Sequence, residues 1–202
     1  MLPKEVITLS KSVFYSKEKI IEVGYNLVKK KGIEYLSSRN IAKELGCSIK
    51  PIFATFENME NLKNDVLKFI LDKYLEYINS GFDSFDKFEN LGIRMVKFAS
   101  VEPLLFKALF LSEYTSKLQI NNFLDRNNNY NKQVVEIISS TLNVSIDDAW
   151  ILFNQSWLDA YALSVGCAMG TFKFDEDEIS KNLRRGFIGT YLAIQEERKK
   201  GQ

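Results

Sequence analysis

A chain of 202 residues, 46% of them hydrophobic, has apolar surface enough for a packed core and length enough for one large domain or two small ones sharing a boundary. It holds no histidine and two cysteines, Cys47 and Cys167, in no CxxC pair, which excludes Ser-His-Asp and Cys-His catalysis and leaves too few ligands for a zinc site. The net charge of +1 divides unevenly: residues 1–56 hold ten Lys/Arg against five Asp/Glu, or +5, and residues 57–202 hold seventeen against twenty-one, or −4. A basic head on an acidic body suits DNA binding by the head, although a few charges placed by chance give the same balance. Apolar stretches such as Ala149 to Phe153 fall far short of a membrane span. Residues 1–15 carry Lys4, Glu5 and Lys11 and do not read as a signal peptide, so a cytoplasmic protein with no membrane partner and no disulfide is expected.

With only Pro3, Pro51 and Pro103 to interrupt it, and helical rather than alternating periodicity, the chain reads as all-α. The first helix starts after Ser16, an N-cap, with Glu18 in its first turn. Ile20, Val23, Gly24, Leu27 and Val28 form its apolar face, Lys29 to Lys31 fill its last turn, and Gly32 stops it. A short second helix follows Ser37, turns Ile41, Ala42 and Leu45 inward, and closes at Gly46. The third is expected to begin at Ser48, with Ser48, Ile49 and Lys50 leading and Ile52 and Phe56 anchoring its back. Pro51 is tolerable near a helix start but constrains Lys50, so a late or distorted start is allowed for. Asn58 caps a fourth helix running to about Ser80, with Leu62, Val66, Phe69, Ile70 and Tyr74 inward. Further helices are expected near 86–100, 103–113, 118–142, 146–170 and 176–199. The run Asn127 to Asn129 marks a loop or helix end, and Ser145 with Asp148 forms an incomplete capping box.

Two short helices joined at Gly46 match the helix-turn-helix plan. The run from Lys17 to Gly24, then Leu27, Gly32, Ser37, Arg39, Ile41, Ala42, Gly46, Cys47, Ser48, Phe53, Phe56, Asn58 and Leu62, resembles the DNA-binding domain of the TetR family of transcriptional regulators. The likeness covers residues 17–63 in register; beyond residue 65 it is one of helix number and length. It implies a three-helix helix-turn-helix domain over 1–65, with an arm over 1–15. It further implies a larger helical domain over 66–202 for ligand binding and dimerisation.

The same resemblance implies roles for matching positions. Ser37 and Ser48 cap helices and meet phosphates, with Arg39 beside them; Lys50 reads bases and Ile49 touches apolar base edges. Phe53 stands where the family has a tyrosine that meets phosphate, and Thr55 where it has a histidine or tyrosine. Met59 stands where a phosphate-binding lysine is frequent, and Lys63, one turn on, is the candidate to compensate. The lesser reading of Arg39 and Lys50 is as solvated surface charges; Cys47 reads first as a small core residue and second as a redox sensor, and Lys4, Lys11 and Lys17 first as a disordered tail and second as a minor-groove arm.

The family also implies an effector cavity in the body, where Phe98, Phe106, Phe110, Tyr114, Trp150, Phe153, Trp157 and Tyr161 supply aromatic surface. Most of these serve as core; Phe98, Phe110, Trp157 and Tyr161 are the pocket candidates, for an apolar or aromatic small molecule. Leu158, Ala162, Val165 and Met169 form one stripe and Leu183, Phe187, Tyr191 and Ile194 another, and these are expected to build a four-helix homodimer interface. Gly166, Gly170, Gly186 and Gly189 would then permit close helix approach. The leading expectation is a ligand-responsive repressor binding a near-palindromic operator as a dimer, with no cofactor, no metal and no catalytic residues. The alternative is a protein of this fold acting through protein contacts with weak or no DNA binding. A helical enzyme using the aromatic cluster is the third possibility weighed.

Overall fold

The computed structural model describes residues 15–78, 85–118 and 124–200, and among these residues it is helical, with no strand. Helix α1 spans Lys17–Lys31, and the Lys19 N–H donates to Ser16 Oγ, satisfying one of the amides that a helix start leaves bare. A 3₁₀ turn over Ile33–Tyr35 follows. Then come α2 (Ser38–Leu45), α3 (Lys50–Thr55) and α4 (Met59–Ile78). The α4 start is capped as expected, by an Asn61 N–H donating to Asn58 Oδ1 at 2.8 Å. The body comprises α5 (Phe85–Val101), α6 (Pro103–Phe110), α7 (Asn129–Leu142), α8 (Ile146–Ala168) and α9 (Glu176–Lys200).

One expected element is replaced. Instead of a single helix over 118–142, there is a 3₁₀ turn at Thr115–Leu118, and α7 begins only at Asn129. Local side-chain bonds hold the chain out of a helix here: Asn127 N–H donates to Asp125 Oδ1, and Tyr130 and Asn131 N–H both donate to Asn128 Oδ1. Asp and Asn compete with helical hydrogen bonding in this way.

A continuous core joins the first four helices to the body. Ile20, Leu27 and Val28 of α1, Ile41 of α2, Ile52 of α3 and Leu62, Val66 and Ile70 of α4 are buried together with Phe98, Phe106, Leu109 and Ala160. Burying each such aliphatic side chain stabilises the fold by about 1.5–3 kcal/mol. The boundary read near residue 65 therefore falls inside α4, which belongs to both halves. Gly24 lets α1 and α4 approach closely: a Cβ there would stand 2.6 Å from Val66 Cγ2 and 3.2 Å from Leu36 Cδ1. Helix α8 is the central post of the body, packing against α5, α6, α7 and α9. A second core forms around Val134, Ile138, Leu152, Phe153 and Ile194, and a third around Val96, Cys167 and Ile179. The Arg198 guanidinium reaches back to Ser145 Oγ and the Asp148 carboxylate, fastening the end of α9 to the start of α8. No described helix is long and apolar enough to cross a membrane.

Candidate nucleic-acid interface

The surface of interest is built on the turn between α2 and α3. Ser37, in extended conformation, accepts from the Asn40 N–H at 3.3 Å and starts α2; the Asn40 side chain donates to Tyr35 O at 2.8 Å. Gly46 ends α2 at φ 66°, a left-handed conformation that a side chain resists. The Cys47 N–H returns to Ala42 O at 3.0 Å, completing the turn, and Cys47 itself is half-buried. Tyr15 pins the same corner by donating its hydroxyl to Leu45 O at 2.7 Å.

Helix α3 starts later than Ser48. Lys50 is its first residue, Pro51 its second, and Ile49 the residue before it, with no side-chain cap bond. The expectation that Ser48 caps this helix is thus corrected. A Ser48 cap would accept from the N–H three residues on, and that residue is Pro51, which has none; the helix is Lys50–Thr55, entered through Ile49 in helical backbone, and the Ser48 hydroxyl is left outside it. Ile52 is fully buried and Phe56 nearly so, which fixes the back of α3 on the core. Lys50 and Phe53 of α3 are exposed on its front, as are Ser48 and Ile49 in the turn that leads into it, with Arg39 exposed on α2. Ile49 is 43% and Phe53 42% exposed, so neither belongs to the core. Thr55 is half-buried and its hydroxyl donates to Pro51 O at 3.2 Å, so it closes the helix rather than reaching outward. Lys63 is half-buried, its ammonium donating to the Tyr114 hydroxyl at 2.6 Å. Lys17 is the first residue of α1 and pairs with Asp65 at 2.6 Å, which removes it from any N-terminal arm. Lys4 and Lys11, with the rest of the arm through residue 14, lie outside the described residues.

The four pocket candidates come together. Tyr74 of α4 sits between the rings of Phe98 and Phe110, at 5.0 and 5.2 Å between centroids, both edge-on. Phe110 contacts Tyr161 at 6.2 Å, and Tyr161 stacks on Trp157 at 5.1 Å with the planes 9° apart. Phe98 and Phe110 are buried, while Trp157 and Tyr161 are half-buried, so the cluster runs from the core to the surface of α8. The Tyr161 hydroxyl donates to Phe110 O at 3.4 Å, a long bond joining α8 to the end of α6. Phe106 adds a stacked ring at 4.7 Å from Phe110.

The two proposed interface stripes fare differently. Leu158 and Met169 are 46% and 59% exposed, Ala162 is exposed and Val165 half-buried, so the α8 stripe faces outward, and Ile151 extends it. Leu183, Phe187 and Tyr191 instead pack on the chain's own cores, Phe187 against the Phe88 ring at 6.0 Å. The exposed large apolar residues of α9 are Ile188 at 46% and Leu192 at 59%. Their i, i+4 spacing places both on one face of α9. The glycines divide likewise. A Cβ on Gly186 would fall 2.2 Å from Asp159 Oδ2 of α8, and one on Gly166 would fall 2.0 Å from the Phe172 ring, so both serve contacts within the chain. Gly170 takes φ 75° at the end of α8, and Gly189 faces open space.

Among the described residues no group of His, Cys, Asp and Glu is placed to hold a metal ion. Comparison of the chain with family models finds no match, and comparison with curated proteins finds no significant one.

Proposed function

We propose that the protein is a TetR-like, ligand-responsive transcriptional regulator that acts as a repressor and binds a near-palindromic DNA operator as a homodimer. In this reading α1 to α3 form the helix-turn-helix head, the helices from α5 on form the body, and the aromatic cluster around Trp157 and Tyr161 receives an apolar or aromatic effector. The observation that carries it is the two-sided character of α3. Ile52 and Phe56 lock its back, while Ser48, Ile49, Lys50 and Phe53 stand together in solvent on a head of net charge +5 over residues 1–56. A short helix presented front-outward by a tight turn is what entry into a major groove requires. Ser37 supports it: its oxygen accepts from an α2 amide, and its hydroxyl hydrogen can be given to a phosphate beside Arg39.

Titration of DNA from the gene's own upstream region, across salt concentrations, tests this. Binding is expected to weaken steeply with salt. Lys50→Ala should cost about 1–3 kcal/mol per half-site on the preferred sequence and much less on unrelated DNA. Absence of DNA binding even at low salt would sink the proposal. A second reading, action through protein contacts, draws on the exposed apolar residues Tyr35, Ile49 and Phe53 on the same head. It predicts a head surface that binds a protein partner and shows no salt-dependent DNA shift.

A further inference from the structure

Helix α6 is tied at its start to α1 of the head and, just beyond its end, to the head-side start of α4. At its start Lys29 of α1 donates to Glu102 Oε1, and Glu102 is the residue before the first turn of α6. Just beyond its end Lys63 of α4 donates to the Tyr114 hydroxyl, across 51 residues of sequence. The Lys63 ammonium lies 4.9 Å from the Tyr114 ring centroid but 2.6 Å from the hydroxyl oxygen, so it sits at the hydroxyl end of the ring rather than over its face. Tyr114 is itself placed by Ser112, whose hydroxyl donates to Ala108 O at 2.7 Å and accepts from Tyr114 N at 3.2 Å. Thr115 Oγ1 donates to Ser112 O at 2.8 Å and tightens the same turn. Between the two ties, α6 packs on α1 and α4.

A lysine engaged in this way is not a free counter-charge for phosphate. A hydrogen bond from a charged donor is roughly twice as strong as a neutral one, and that bond has to break before the ammonium can turn to DNA. We infer that Tyr114 is a positioning residue for DNA binding: it holds Lys63 as a strap that fixes the head against the body, rather than leaving Lys63 to neutralise a phosphate. The inference rests on the DNA-binding reading above and corrects one of its sequence-based expectations, that Lys63 compensates for Met59. In a two-fold dimer the angle of each head against its body sets the separation of the paired recognition helices, so the strap acts on affinity through geometry and not through charge.

The test compares wild type, Lys63→Met, Tyr114→Phe and the double variant on operator DNA across salt, and in thermal unfolding without DNA. Both single variants are expected to lose affinity together, by about three- to tenfold, with the salt slope unchanged and the double variant no weaker than either single. In unfolding, the two substitutions should couple, the second costing little once the first is made. If Lys63→Met lowers the salt slope by about one unit per half-site while Tyr114→Phe binds like wild type, Lys63 is a phosphate ligand and the inference is overturned. Strictly additive unfolding effects overturn it too, and that readout does not depend on DNA. Wild-type protein that binds no DNA at low salt removes the positioning role together with the DNA-binding reading, whereas coupling in unfolding would still show the strap.

Discussion

Tyr74 is the largest side chain buried where α4 passes from head to body, 2% exposed and boxed by Phe98 and Phe110. Burial pushes its phenol well above the ordinary range, and the nearby Tyr130 adds to the shift; burial alone raises Tyr130 to about 12. The folded state therefore holds these protons more tightly than the unfolded chain, whose phenols titrate near 10. A group with a raised folded pKa contributes stability that is complete below its unfolded pKa and is lost as pH rises through its folded one. Stability is thus expected to be steady to about pH 10 and to fall above it as the unfolded chain ionises. Denaturant midpoints measured through this range check the sign, and Tyr74→Phe should make the fall shallower. A midpoint that starts to fall well below pH 10, or the same fall in Tyr74→Phe, would show that other groups control it.

At the scale of elements, capping separates two serines that look alike in sequence. Ser37 Oγ accepts an α2 amide, while Ser48 stands outside α3. Ser37→Ala should cost about 1 kcal/mol of stability and Ser48→Ala almost none, as read by thermal unfolding. A comparable loss for both would restore Ser48 as a cap. This contrast also marks what was legible in the chain. The starts at Ser16, Ser37, Asn58 and Ser145 and the stops at Gly32 and Gly46 could be read because each depends on one local side chain or one glycine. The start of α3 turns on Pro51 standing where a Ser48 cap would need an N–H, a conflict between two residues that each favour a helix start when taken alone. The asparagine run at 127–129 marks the start of α7, but the bonds to Asp125 and Asn128 that break the chain there depend on side-chain geometry that residue type alone does not give. Around the site, the buried back and exposed front of α3 followed from helical spacing. The Lys63 to Tyr114 contact could not, because it joins segments 51 residues apart and depends on how α6 packs.

For the whole molecule, the proposed dimer depends on which apolar residues are left uncovered once each chain has folded. Leu183, Phe187 and Tyr191 are used inside the chain, and the outward row comprises Ile151, Leu158, Ala162 and Met169 of α8 with Ile188 and Leu192 of α9. These helices pack along one another, and two copies placed about a two-fold axis would cover both rows in a four-helix arrangement. The two sets of residues then predict opposite phenotypes. Leu158→Glu or Leu192→Glu puts a charge into the covered interface, where it has no partner, and should yield folded monomer with an unfolding temperature lower by the lost association. Phe187→Ala empties part of the protomer core beside Phe88 and should cost about 3–5 kcal/mol at most, less to the degree that Phe187 is only partly buried, while any protein that folds remains dimeric. Sedimentation of the three variants beside wild type separates these outcomes. Should the wild type sediment as a monomer at all concentrations, the exposed row is not a self-association surface and the two-fold operator has no basis. Should Phe187→Ala dissociate cleanly into folded monomer while Leu192→Glu stays dimeric, the interface lies on the inner stripe, and α9 must then rotate or lift from α8 when two chains meet.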